Sequence, residues 1–185
     1  SPQGDTLFYE SLARKDGYGL IAGVDEAGRG PLAGPVVAAA VILAEDRPLS
    51  GIKDSKKMTA RARGKAFSVI VESAVAVGVG VVSHRYIDRA NILKASLEAM
   101  RRAVLCLDPA PEYLLVDGIQ TIPLAIAQRS LKKGDQLSLS ISAASVIAKV
   151  YRDRIMVSLH SAYPMYGFLR HKGYGTCLLY TSDAA

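Results

Sequence analysis

The stretch Leu20-Ile21-Ala22-Gly23-Val24-Asp25-Glu26-Ala27-Gly28-Arg29-Gly30-Pro31 sets two adjacent carboxylates between an apolar run and a glycine-rich turn. The apolar run has the length of a covered strand. Acids at its end are costly, because an ionised carboxylate that leaves water needs a cation or hydrogen-bond donors in compensation. Asp117 closes a second apolar strand, Tyr113-Leu114-Leu115-Val116, and Asp135 follows the basic pair Lys132-Lys133. Acids collected at strand ends point to a divalent metal site. Carboxylate oxygens suit Mg²⁺ or Mn²⁺ rather than a thiophilic ion. Two such ions about 4 Å apart can activate a water and stabilise a leaving 3′-oxygen in phosphodiester cleavage. Each acid also has a local reading: Asp25 caps the turn, Glu26 pairs with Arg29, and Asp117 belongs to an Asp-Gly turn.

Outward from this strand, residues 6 to 15 read as a short amphipathic helix ended by Asp16-Gly17. Strands over 20 to 25 and 35 to 43 flank the glycine-rich turn at a spacing that suits an antiparallel pair. Thr59 can cap a helix over about 60 to 73, with Ala62, Ala66, Val69 and Ile70 on one stripe. A strand follows at 75 to 82. Ser83 starts a helical region whose buried face carries Leu93, Leu97, Met100, Val104 and Leu107, and Pro109 and Pro111 stop it. Strands at 113 to 117 and near 125 to 131 then lead to a helix over about 140 to 159. The order β-β-α-β-α-β-β-α, with no repeat and no linker, predicts one α/β domain over residues 1–185, a mixed sheet flanked by helices.

Half of the 185 residues are hydrophobic, ample for a core, and the net charge of +6 with a pI near 9.4 favours a polyanionic partner such as nucleic acid. Cys106 and Cys177 are the only cysteines. They are too few for a disulfide framework or a four-thiolate zinc site, so ordinary thiols and a reducing cytoplasm are expected. No segment reaches the roughly 18 apolar residues of a membrane span, and the N-terminus shows no secretory signal. Without a heptad or an exposed apolar stripe, a monomer is expected.

The motifs carry a more specific message. Gly23-Val24-Asp25-Glu26-Ala27-Gly28-Arg29-Gly30-Pro31, Lys53-Asp54-Ser55-Lys56-Lys57, Val116-Asp117-Gly118 and Lys133-Gly134-Asp135 stand in that order. They are followed by Ser142-Ala143-Ala144-Ser145 through Arg152-Asp153, and by Tyr166-Gly167-Phe168 with His171-Lys172-Gly173-Tyr174-Gly175-Thr176. Taken together, across about residues 20–176, these strings resemble bacterial ribonuclease HII, of the type 2 ribonuclease H family. The resemblance implies the ribonuclease H-like fold, a mixed five-stranded sheet with helices. It also implies an endoribonuclease that cuts the RNA strand of RNA–DNA hybrids and incises 5′ of ribonucleotides embedded in duplex DNA. Two-metal catalysis with Mg²⁺ or Mn²⁺ would leave 5′-phosphate and 3′-hydroxyl ends.

Carried over position by position, Asp25, Glu26, Asp117 and Asp135 match the family's acidic metal-binding quartet. Gly28, Arg29 and Gly30 match the turn that contacts the ribonucleotide and its 2′-hydroxyl. Glycine lets the main chain approach the sugar closely, and the 2′-hydroxyl is the group that separates RNA from DNA. Tyr174 matches a tyrosine that stacks on the sugar 3′ of the ribonucleotide and favours deoxyribose there, which implies a preference for RNA-to-DNA junctions. Lys53, Ser55 and Lys56 form part of a basic cluster with Lys57, Arg61, Arg63 and Lys65 that can track phosphates, although a charge run is also simply a solvated face. Ser142 and Ser145, near a helix start, can donate to a phosphate or serve as caps and packing residues. His171 and Lys172 lie in the last matching string and are expected to support substrate-loop geometry. Asp153 is set aside, because a local ion pair with Lys149 explains it.

The resemblance stops after Thr176. Residues 177–185 form an atypical tail where family members continue with a further helix beside the duplex, so a truncated C-terminal helical element is expected. Two other classes remain open on the residues alone: a metal-dependent phosphatase or nucleotidyl transferase, and a basic nucleic-acid-binding module whose acids are structural.

Overall fold

The computed structural model describes residues 4–28, 34–46, 49, 52, 57–83, 91–161 and 178–180. Helix α1 (Phe8–Lys15) precedes strands β1 (Ile21–Ala27) and β2 (Val36–Ile42), helix α2 (Ala60–Ser73) and strand β3 (Ala76–Val82). Helix α3 (Ile92–Leu105), strands β4 (Tyr113–Asp117) and β5 (Ala127–Leu131), the single-turn helix α4 (Gly134–Leu137), the long helix α5 (Leu139–Ser161) and strand β6 (Leu178–Tyr180) follow. The sheet order is β5-β4-β1-β2-β3-β6. The expected mixed five-stranded sheet is therefore present, and the three-residue β6 extends it in parallel along the β3 edge.

β1 to β3 form an antiparallel meander, whereas β4 and β5 add in parallel to β1. Chains that must run parallel need a crossover, and α3 supplies the one into β4. Because successive side chains alternate faces, β2 sends Val37, Ala39 and Val41 to one side and Val36, Ala38, Ala40 and Ile42 to the other. The first set packs under α2 and α5 with Phe67, Ile70, Ile147 and Tyr151. The second packs under α3 with Ala95, Ala99, Met100 and Ala103. Both faces of the sheet's centre are covered, which is why β2 and β3 are buried at every position.

Close helix-to-sheet approach explains where the sequence reading went astray. On α3 the buried stripe is made largely of small residues, while Leu93 and Leu97 are only half-buried. A Cβ on Gly78 would lie 2.1 Å from the Ala103 carbonyl oxygen, and one on Gly80 equally near that of Ala99. The helix backbone sits almost on the strand, so alanine and glycine face each other where leucine was expected. Asn91 caps α3, its side chain accepting from the Lys94 amide at 2.9 Å, and residues 84–90, which were expected in the same helical region, lie outside the described residues. Thr59 caps α2 as expected, accepting from Ala62, but Val69 is 48 % exposed and Phe67 and Val71 take its place in the core. Cys106, buried just past α3, is disulfide-bonded and is not the ordinary thiol expected. A cysteine count cannot foresee this, since pairing depends on which Cβ atoms the fold brings within reach.

An equally tight contact lies between β1 and the start of α5. A Cβ on Gly23 would fall 2.1 Å from the Ser140 carbonyl carbon and 2.3 Å from the Ile141 nitrogen. Neither backbone can yield without moving the strand that carries Asp25. Gly23→Ala is expected to destabilise the protein by about 1–3 kcal/mol, as overpacking does. A lowered urea midpoint with an unchanged slope would show it.

Candidate active site

Three parallel strands end at the same edge of the sheet. In the β1–β4 register Val24 pairs with Val116, so the next residues along, Asp25 and Asp117, emerge side by side. β4 stops there, while β1 runs on to Ala27 against β2. The acids thus stand in the crevice beyond the carboxyl ends of parallel strands, the usual ligand position in open α/β sheets. Among the described residues, Asp25, Glu26 and Asp117 each offer a carboxylate oxygen, all within 4.8 Å of one another. Asp25 is buried and the other two are half-buried.

Asp135 reaches this edge by another route. After β5, Lys133 adopts a left-handed conformation (φ 55°), which turns the chain into α4. The Gly134 amide then donates to Asp117 Oδ1 at 2.7 Å, and Asp135 follows in the first turn, buried. Asp135 stands outside the close trio, yet its charge acts on Asp25.

Asp25 is held well above the ordinary carboxylate range. Burial is the first cause, followed by the negative charges of Glu26 and Asp117, while the Glu26 amide donating to Asp25 Oδ1 at 2.8 Å partly offsets them. A carboxyl in that condition favours a proton or a cation. The site therefore fits a hard divalent ion: its donors are all carboxylate oxygens, and a cation would relieve the repulsion that raises Asp25.

Gly28 closes the strand end with φ +99°, where a Cβ would meet Arg152 Nε at 2.5 Å and the Pro35 carbonyl oxygen at 2.6 Å. Arg152, buried on α5, donates from Nε to the Pro35 oxygen at 3.0 Å and so braces both sides of the glycine-rich turn. The sequence reading passed over Arg152, since nothing in its helical spacing shows which strand ends α5 crosses. Its neighbour Asp153 pairs with Lys149 at 3.3 Å, as expected. Ser142 and Ser145 occupy the first turns of α5 and are buried. Arg29, Gly30, Lys53, Ser55, Lys56, His171, Lys172 and Tyr174 lie outside the described residues. Beside Asp117 a cleft of about 280 Å³ opens between α3 and the Gly118–Gln120 turn, walled by Leu93, Leu97, Met100 and Ile119.

The model of the family described as ribonuclease HII matches residues 22–178. The chain belongs to the ribonuclease HII family. Its similarity to the ribonuclease HII of Geobacter sulfurreducens reaches 58 % identity over 175 residues, covering 95 % of this chain and 81 % of that one. Among solved structures, it is similar to ribonuclease H2 from Pyrococcus horikoshii OT3, with a TM-score of 0.67, 30 % identity, and coverage of 79 % of this chain and 81 % of the other. It also resembles, in fold alone, Bst-RNase HIII in complex with Mn²⁺: TM-score 0.65, 23 % identity, 77 % of this chain and 55 % of that one. As a family member the chain is a divalent-metal-dependent ribonuclease H, an endoribonuclease acting on RNA–DNA hybrids. No helix among the described residues is long and apolar enough to cross a membrane.

The raised Asp25 has a measurable consequence. Its folded-state affinity for a proton exceeds the unfolded value of about 3.9, so ionising it costs folding free energy as pH rises through the raised value. In EDTA at neutral pH, Asp25→Asn is expected to raise the thermal midpoint, by about 2–4 °C for each kcal/mol of relieved repulsion. Added Mn²⁺ should stabilise the unsubstituted protein more at pH 8 than at pH 5, because protons compete for the same oxygens. An unchanged midpoint for Asp25→Asn in calorimetry would contradict this account.

Proposed function

We propose that Asp25, Glu26, Asp117 and Asp135 hold the divalent ions, Mg²⁺ or Mn²⁺, with which this enzyme cuts the RNA strand of hybrids and incises 5′ of single ribonucleotides in duplex DNA. The observation that carries this reading is the convergence of Asp25, Glu26 and Asp117 within 4.8 Å at the strand ends, with Asp135 near enough to act on Asp25. A structural role for these acids would disperse them toward cations. The charges that raise Asp25 are those of the other carboxylates, Glu26, Asp117 and Asp135. When bound, the ions acidify the attacking water and stabilise the leaving 3′-oxygen.

The chain's own groups do the rest. Asp25, the buried member of the trio, would be a ligand together with Glu26 and Asp117 beside it. The Gly134 amide fixes the Asp117 carboxylate, so that this ligand is oriented before any ion arrives. The turn from Gly28 to Gly30, braced by Arg152, offers main-chain groups to the 2′-hydroxyl. Lys53, Ser55 and Lys56 position backbone phosphates, and Ser142 and Ser145 would do so through their hydroxyls. His171 and Lys172 shape the loop from which Tyr174 stacks on the sugar 3′ of the ribonucleotide. In this reading the enzyme works in the cytoplasm as a monomer, and gel filtration checks the monomer.

Two tests follow from these roles. Duplex DNA with one ribonucleotide is expected to be incised 5′ of it in Mg²⁺ or Mn²⁺ and not in EDTA. Asp25→Asn should abolish cleavage while duplex binding in a gel-shift assay persists, and wild-type turnover would remove Asp25 from the site. Tyr174→Ala should lower the ratio of junction to all-RNA hybrid cleavage, whereas an equal loss on both substrates would refute its selectivity role.

A further inference from the structure

Glu10 is a buried acid, 2 % exposed, on α1, ahead in sequence of every residue assigned above. Its Oε2 accepts from Ser138 Oγ at 3.0 Å, from the Ser140 amide at 3.0 Å and from Ser140 Oγ at 2.9 Å. The Thr6 carbonyl accepts from the Leu139 amide at 2.8 Å, and Ser138 Oγ accepts from the Ile141 amide at 3.2 Å. The first three amides of α5 are thereby satisfied, two of them by the segment around α1. A carboxylate there also lies at the positive end of a long helix, where its charge is favoured.

What Glu10 holds is the junction from which the acid site hangs. Ser138 ends α4, its amide donating to the Gly134 carbonyl at 2.8 Å. The same single turn carries Asp135 and presents the Gly134 amide to Asp117. On its other side, the Ser140–Ile141 backbone presses against Gly23, two residues before Asp25. One short segment, Ser138 to Ile141, thus touches the supports of Asp25, Asp117 and Asp135 together. α4 is a single turn and cannot hold its own position.

Building on the metal-binding reading above, we propose that Glu10 is a positioning residue for the active site. By locking the α4–α5 junction it sets where Asp135 and the Gly134–Asp117 contact stand when a divalent ion binds. It touches neither the ion nor the duplex. Its removal should therefore weaken metal binding and turnover and leave substrate affinity alone.

The test compares the unsubstituted enzyme, Glu10→Ala, Glu10→Gln, Ser140→Ala and Asp25→Asn. Mn²⁺ titration calorimetry is combined with steady-state cleavage and thermal unfolding in EDTA. Glu10→Ala is expected to bind Mn²⁺ about tenfold more weakly, in the range seen when groups supporting metal ligands are removed, with kcat lowered and KM unchanged. Glu10→Gln, which keeps an acceptor of the same shape, should recover most of the Mn²⁺ affinity, and Ser140→Ala should show a smaller loss in the same direction. A Glu10→Ala enzyme with a lowered thermal midpoint but wild-type Mn²⁺ affinity and kcat would reduce Glu10 to a stability element and overturn the proposal. If Glu10→Ala does not fold, unchanged Mn²⁺ affinity in Ser140→Ala overturns it instead. Absence of any Mn²⁺ binding that Asp25→Asn removes would overturn the metal reading itself, and the Glu10 proposal with it, a result distinct from failure of Glu10 alone.

Discussion

Like charges forced together out of water are the constraint on which this structure turns. Asp25 lies buried with the negative charges of Glu26 and Asp117 against it. A fold can tolerate such an arrangement only if other parts of it are rigid enough to hold the acids in place. It also becomes worthwhile only when a cation arrives to take up the repulsion. The stability given up without metal is the same free energy that draws a divalent ion in.

The rigidity comes from unusually close backbone approach. Glycine at 23, 78 and 80 lets two helices lie almost in contact with the strands they cover, and alanines on α3 and α5 keep that distance short. Parallel pairing of β4 with β1, and of β5 with β4, then delivers acids from separate stretches of chain to one edge. Glycine and alanine contribute little apolar area each, so their value lies in the geometry they permit. Large side chains in the same places would hold the helices off and spread the acids apart.

A related economy governs the polar groups. The amides of the α4–α5 junction are met by a carboxylate and a carbonyl from the N-terminal segment. Arg152 serves the glycine-rich turn similarly, reaching across from α5 to the Pro35 carbonyl. Buried polar groups that are matched in this way rigidify their surroundings.

Local pattern alone determined a good deal about this protein. The strands, their order, the caps at Thr59 and the four acids with their family resemblance could be read because periodicity, turn chemistry and motif spacing are properties of neighbouring residues. The face of α3 was read in part: Met100, Val104 and Leu107 are buried as expected, while Leu93 and Leu97 are only half-buried, because large apolar residues advertise burial more loudly than the alanines that face the glycines of β3. Glu10 and Arg152 could not be singled out, because each looks like an ordinary charged residue on a helix until its partner, 128 or 117 residues away, is known. That Asp25 is held well above the ordinary carboxylate range was likewise decided by tertiary structure. Charge interaction and desolvation depend on distance in space, and a chain sets those distances only when it folds.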